Sequence, residues 1–283
     1  KNTAKIIKDH SGEKLLVVIS AMGKTTNALE KVAESFYAGN KEEAIRLFQL
    51  VKESHLNTLK YVTVKNALSA ESQLKDFFTE VEWLLHDKPV RNYDYCYDQV
   101  VCSGELMSTA MMYHHLKEEG IKAHWVDVRD IVRTDDNFRD AGVDWTFTAN
   151  RINETILPLF REYDVVITQG FIGSTDENES TTLGREGSDY TAAIFANLMN
   201  GESVTIWKDV ESVMNADPGK FENAVNIYSL SYAEVIEMAY YGAQVIHPKT
   251  IKPLQNKNIP LYVKNFIDPG LQGTSISDQL SKK

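Results

Sequence analysis

Short apolar, β-branched runs recur along this chain, and most end in a polar loop followed by a helical pattern. The runs at 15–20, 121–128, 164–171, 203–207 and 260–263 are of this kind. Few architectures accept such alternation. Strands this apolar must be covered on both faces, and the intervening helices do the covering, so the pattern predicts an α/β fold with a mainly parallel sheet. Sheets of that type bind ligands where their strands end. The loops are therefore the places to look for function.

One loop carries more chemistry than the others: Thr181-Thr182-Leu183-Gly184-Arg185-Glu186-Gly187-Ser188-Asp189-Tyr190-Thr191-Ala192. It follows the apolar run at 164–171. It precedes a stripe of Ala192, Phe195, Ala196 and Met199 at i, i+3, i+4, i+7. It thus reads as a polar loop that leaves a buried strand and opens a helix. The start of a helix offers unpaired N–H groups and a positive dipole end, which suit an anion. Arg185 can clamp a carboxylate or phosphate through two parallel hydrogen bonds. Asp189 can orient a cation, an amine or a metal. The plainer reading is a Gly/Ser turn with Ser188 or Asp189 as helix cap, and the loop alone does not choose between them.

The remaining pattern narrows the possibilities. A chain of 283 residues makes one large α/β domain or two small ones. The formal charge of −10 leaves no electrostatic footprint for a nucleic acid. Neither a membrane-length apolar run nor a signal peptide is visible. Cys96 and Cys102 have no metal-ligand spacing and read as buried thiols of a cytoplasmic protein. Gly23-Lys24-Thr25 lacks the earlier glycine of a P-loop, since Val18 stands there. Residues 25–86 read as helical, with stripes of Leu29, Val32, Ala33 and Phe36, then Ala44, Phe48 and Val51, then Leu74, Phe77, Phe78, Val81 and Leu84. Residues 98–102 read as a short strand leading to Ser103-Gly104-Glu105, with Glu105 in the first turn of the next helix. Residues 134–150 read as a surface loop, 151–160 as helical, 174–180 as a mobile loop and 231–242 as a helix. Residues 1–10 read as the end of a helix.

Several separated blocks together resemble one family. They are Ser20-Ala21-Met22-Gly23 with Thr26-Asn27; Ser103-Gly104-Glu105 with Leu106 to Thr109; Gln169 to Gly173; Thr181 to Ala192; Trp207 with Asp209-Val210; Ala216-Asp217-Pro218; and Gly242-Ala243 with Val245, His247-Pro248 and Thr250. Their order and spacing resemble the catalytic domain of aspartate kinases, within the amino-acid kinase superfamily. The resemblance implies a three-layer α/β/α sandwich and transfer of the ATP γ-phosphoryl group to the β-carboxylate of L-aspartate. The product would be 4-phospho-L-aspartate, which enters lysine, threonine and methionine (diaminopimelate) biosynthesis. It implies Arg185 on an aspartate carboxylate, Glu105 on the α-ammonium, and Ser20, Thr26 and Ser188 lining the pocket. Asp189 would orient catalytic groups. Asp209, Met214, Lys220, Gln244 and Val245 would surround the nucleotide, and Lys208, a departure from the family, is expected there to replace the charge that Gln244 lacks. Mg²⁺ would arrive on ATP, held by phosphates and water rather than by a protein cage. The family further implies an aspartate-binding lobe over about residues 1–195, a nucleotide lobe over about 196–277, and a homo-oligomer in the full-length form.

Departures from the family pattern are also legible. Its opening Lys-Phe-Gly-Gly-Thr-Ser strand has no counterpart here, so this chain alone is expected to turn over poorly. In the family, regulatory ACT domains follow; residues 278–283 read as the tail leading to them, and this chain alone is expected to show no feedback by lysine or threonine. Glu186 stands where Gly is usual, Lys208 where Thr is common, Ser212 where Gly is common, and Gln244 where Lys is frequent. Two other readings are another kinase of the superfamily, acting on glutamate or N-acetylglutamate, and a catalytically dead amino-acid-binding paralog.

Overall fold

The computed structural model describes residues 2–10, 12–216, 219–242 and 246–278. The chain forms two compact units, one of His10–Ser188 and one of Asn2–Asp9 with Asp189–Lys283. The first helix, α1 (Asn2–Asp9), belongs to the second unit and buries Ala4, Ile6 and Ile7.

In the first unit, β1 (Leu15–Ile19) is followed by α2 (Thr25–Tyr37), α3 (Lys41–Val62) and α4 (Ala67–His86). The apolar stripes read from the sequence are buried on these helices, except that Leu85 rather than Leu84 closes the third. The rings of Phe48 and Phe78 meet edge to face at 6.2 Å, which locks α3 to α4. Each large side chain buried in this way is worth about 1.5–3 kcal/mol. Then come α5 (Tyr93–Val101), α6 (Ser103–Glu118), β2 (Ala123–Trp125) and a 3₁₀ turn at Val128–Asp130. Next are α7 (Trp145–Arg151), a π-helical turn at Ile152–Ile156 and α8 (Leu157–Leu159). The unit ends with β3 (Val165–Gln169), β4 (Ile172–Ser174) and β5 (Ser180–Thr182). Its parallel sheet has the order β1-β3-β2, with Leu15 and Ala123 both opposite Val165. The central strand β3 is buried at every residue, as its unbroken apolar run requires.

The second unit continues with α9 (Gly187–Met199), whose first two residues fall in the first unit. It then contains β6 (Val204–Lys208), β7 (Val213–Met214), β8 (Asn226–Ile227), β9 (Ser229–Leu230), α10 (Tyr232–Tyr240), α11 (Pro248–Gln255), β10 (Leu261–Asn265) and β11 (Thr274–Ile276). Its sheet runs β6-β10-β11-β9, parallel except for the antiparallel β10–β11 pair. Ala193, Ile206, Tyr232, Leu254, Leu261 and Val263 are among its core residues. The α10 helix starts at a reciprocal cap: the Ser231 hydroxyl accepts from Glu234 N–H, and the Glu234 carboxylate accepts from Ser231 N–H.

The α/β class is as expected, and four local readings are corrected. Residues 98–102 are helical, not extended. Asn92 caps α5 by accepting from Tyr95 N–H at 3.0 Å, and Tyr97, Val100 and Val101 share its buried side. Residues 134–150 are not all loop, because Asp144 caps α7 through Phe147 N–H at 2.9 Å. Thr134 and Ala141 in that stretch are buried. The segment 174–180 is the tip of the antiparallel β4–β5 hairpin, tied by Thr175 N–H to the Glu179 carbonyl at 2.9 Å. The motif beginning at Thr181 starts as strand β5, with Thr181, Thr182 and Leu183 fully buried; the polar loop proper begins at Gly184. Among the described residues no helix is long and apolar enough to cross a membrane. Cys96 and Cys102 are both buried and unbonded to each other.

Candidate active site

Glu105 sits in the first turn of α6, a helix buried along most of its length. Its side chain is only 2% exposed. One oxygen, Oε1, accepts from Ala21 N–H at 3.1 Å. The other, Oε2, is buried with no hydrogen-bond partner among the described residues. Burial pushes the carboxyl up to about 8, against the pull of that N–H. A buried carboxylate with an oxygen left unsatisfied is costly, and the deficit asks for a donor. The loop after β1 is folded onto this helix. Ser108 Oγ donates to the Ser20 carbonyl at 2.7 Å, and Thr25 Oγ1 donates to the Met22 carbonyl at 2.6 Å.

The ends of β1 and β3 are level, because Gly170 N–H donates to the Ile19 carbonyl at 2.9 Å. Ser188 lies directly against Gly170. A Cβ added there would stand 2.6 Å from both Cβ and Oγ of Ser188, so only glycine permits the approach. Ser20, Glu105 and Ser188 are thus gathered at the carboxyl end of one parallel strand pair, through Ala21, Ile19 and Gly170. Thr26 is half-buried in the first turn of α2, just after that loop. Arg185 is exposed, in a turn closed by Gly187 N–H to the Gly184 carbonyl at 3.1 Å. Glu186 in the same turn has φ 53°, in the left-handed region, which gives a backbone reason for glycine at such a position.

In the second unit, Asp189 and Lys208 form an ion pair, Nζ to Oδ2 at 3.1 Å, with both side chains mostly covered. Lys208 ends β6, and its carbonyl accepts from Phe266 N–H at 2.7 Å. Met214 is half-buried on β7; Asp209 and Lys220 are exposed. Ser212 is buried and donates to Asn226 Oδ1 at 2.8 Å. Gln244 and Val245 lie outside the described residues. Among the described residues, no group of three or more His, Cys, Asp or Glu could hold a metal ion.

The roles of two buried groups escaped the sequence reading, although Gln169 opens one of the blocks that resemble the family. Gln169 at the end of β3 accepts from Val128 N–H at 2.7 Å and donates to Thr109 Oγ1 at 2.7 Å, fixing α6 against the sheet. Asp98 accepts from Thr182 and Arg139 and is pushed up to about 6 by burial, which outweighs those donors. An ionisable residue within an apolar helix face was the available signal for Asp98. An open cavity of about 800 Å³, lined by Arg91, Arg133, Asp135, Asp144, Asp176 and Glu177 among others, contains none of the expected site residues.

The profile of the amino acid kinase family matches residues 1–265. Lysine-sensitive aspartokinase 3 of Escherichia coli (strain K12) is 35% identical over 264 residues, covering 93% of this chain and 58% of that protein. Chloroplastic aspartokinase 2 of Arabidopsis thaliana is 32% identical over 285 residues, covering 98% of this chain and 51% of that protein. The chain therefore spans little more than half the length of these relatives. The crystal structure of E. coli aspartokinase III in complex with aspartate and ADP (R-state) aligns with a TM-score of 0.88 at 33% identity, over 99% of this chain and 61% of that one. Clostridium acetobutylicum aspartate kinase shares the fold at a TM-score of 0.76 and 21% identity, over 100% of this chain and 59% of that one. A profile match over almost the whole sequence, joined to this agreement of fold, means that the chain belongs to the amino acid kinase family.

Proposed function

We propose that this chain transfers the γ-phosphoryl group of ATP to the β-carboxylate of L-aspartate, forming 4-phospho-L-aspartate for amino-acid biosynthesis. The observation that carries the reading is Glu105, a buried carboxylate with one oxygen unsatisfied at the carboxyl end of a parallel strand pair. An α-ammonium group supplies the donors that Oε2 lacks, and it pulls the carboxyl back to its ionised form. Arg185 grips the α-carboxylate in a bidentate pair, while Ser20, Thr26 and Ser188 line the same pocket. The first unit takes the amino acid. The second takes the nucleotide, through Lys208, Asp209, Met214, Lys220, Gln244 and Val245. The relative solved with aspartate and ADP supports this pairing of ligands.

Moving a phosphoryl group onto a carboxylate brings two anions together. The protein's contribution is therefore position and positive charge rather than covalent chemistry. Lys208 presents an ammonium that Asp189 orients at 3.1 Å. Magnesium, entering on the phosphates, supplies further charge neutralisation.

Hydroxylamine traps acyl phosphates as hydroxamates. The protein is incubated with MgATP and aspartate, glutamate or N-acetylglutamate, and hydroxamate and ADP are measured. Hydroxamate from aspartate alone is the expected result, formed slowly where this chain is assayed by itself. N-acetylglutamate has no ammonium for Glu105, so product from it would overturn the reading. Binding of aspartate and nucleotide without any transfer would favour a dead paralog.

A further inference from the structure

Asp98 has no place in the proposed chemistry, yet it is a fully buried carboxylate. Its Oδ2 accepts from Thr182 N–H at 2.8 Å and from Arg139 N–H at 3.0 Å. Its Oδ1 accepts from Thr182 Oγ1 at 2.8 Å. One side chain on α5 therefore binds two other segments, the exit of β5 and the loop at 134–144. An apolar residue of similar size would satisfy packing alone without the cost of a buried ionisable group. Two of the three donors are backbone N–H groups, so what is being held is mainly backbone.

Both segments bear on the turn that carries Arg185. Thr182 lies three residues before it. The Thr182 carbonyl accepts from Ala141 N–H at 3.0 Å, and Leu183 N–H donates to the Phe171 carbonyl at 2.8 Å. Gly184, at φ 79°, rests on the same loop: a Cβ there would lie 2.5 Å from Asp140 Oδ1. The aromatic side chains of α5 grip the loop as well. The Arg139 guanidinium lies 4.5 Å from the Tyr97 ring, and Phe138 meets Tyr95 edge to face at 5.2 Å. Arg139 itself holds φ 70°, a strained backbone that persists only where its surroundings over-determine it.

We propose that Asp98 is a positioning residue for the phosphoryl acceptor: it locks the exit of β5 and the 134–144 loop into one block, and that block sets where the Arg185 guanidinium stands. The step from block to substrate rests on the reading that Arg185 grips the amino acid.

Asp98→Ala leaves three donors unpaired. Asp98→Asn can keep all three contacts, with its oxygen accepting both N–H groups and its amide donating to the Thr182 hydroxyl. Hydrogen exchange of the 180–187 peptide and the Michaelis constants for both substrates are measured for these variants and for Arg185→Ala. Asp98→Ala is expected to exchange faster at 180–187 than the unaltered protein. Its aspartate KM is expected to rise at least about tenfold while its ATP KM stays within about twofold. Asp98→Asn should stay near the unaltered protein in both. Should Asp98→Ala fail to fold, Thr182→Val removes one of the three contacts and should speed exchange at 180–187. Unchanged exchange there, or both KM values rising together, overturns the proposal, as does an Asn variant as damaged as the Ala variant. An unchanged aspartate KM in Arg185→Ala strikes instead at the reading of Arg185, and the exchange result still judges the block.

Discussion

Glu105→Gln is expected to stabilise the unliganded protein and to weaken aspartate binding, two effects with one origin. Burial moves the carboxyl from its ordinary 4.5 to about 8. The folded state then holds the proton more tightly than the unfolded chain does. The associated stability is fully present below pH 4.5, declines as pH rises, and is lost above about 8. At pH 7 the loss amounts to about 3 kcal/mol. Gln is neutral throughout. Its oxygen keeps the Ala21 N–H bond, and its amide takes the unsatisfied side at a cost of about 1 kcal/mol. The net gain is about 2 kcal/mol near pH 7, or roughly 4–8 °C in midpoint for a unit of this size. It should vanish at about pH 5. Losing the buried charge against an ammonium costs about 2–4 kcal/mol of affinity, a factor of about 30–1,000. In the unaltered protein, aspartate binding at pH 7 should release close to one proton from Glu105. Affinity should rise about eightfold between pH 7 and 8.5. Scanning calorimetry across pH, with aspartate titrations in buffers of different ionisation enthalpy, measures both. A Gln variant no more stable than the unaltered protein at pH 7, with undiminished affinity and no change in proton release, would refute the reasoning.

Three further outcomes are expected. Lys208→Ala removes the 3.1 Å pair to Asp189 and should lower kcat at least about tenfold in steady-state assays, with aspartate KM nearly unchanged. Because that pair is only partly buried, the variant's stability should shift by less than about 1 kcal/mol. Gly170→Ala drives a methyl into Ser188, and initial-rate kinetics should show aspartate KM raised about tenfold with ATP KM preserved. His55 and His114 are held neutral by burial, so the stability they contribute is present above pH 6.5 and is lost as pH falls below it. Urea midpoints at pH 5 and 7.5 should lie closer together in His55→Leu than in the unaltered protein; an equal gap would count against this role.

The long helices were readable because their apolar periodicity persists over many residues and their burial follows it, and β1, β2, β3, β6 and β10 because each lies in a short apolar run. Glu105 was readable through the resemblance of the Ser103-Gly104-Glu105 block; its position in the first turn of a helix would by itself suggest only a favourable charge at the helix start. The α5 helix was not readable. Its buried Val100, Val101 and Cys102 form a run too short and too β-branched to separate strand from helix, and Asn92, its cap, lies well upstream. The 174–180 tip and the buried start of the Thr181 motif depend on a β4–β5 pairing that local composition does not announce. The charge of Asp98 on an apolar helix face was a visible signal, but its role was out of reach for a different reason. Its meaning lies in Thr182, 84 positions away, and no local pattern encodes that contact.

The tether from Ala21 to Oε1 leaves the Glu105 carboxylate a single direction in which to receive a ligand. An amine docked there and a carboxylate docked on Arg185 fix a small molecule at two points, and the reacting oxygen supplies a third. Three fixed points distinguish an object from its mirror image. On the proposed function, a preference for one enantiomer of aspartate is therefore expected, with the Ala21 N–H helping to fix the direction in which Glu105 receives the amine.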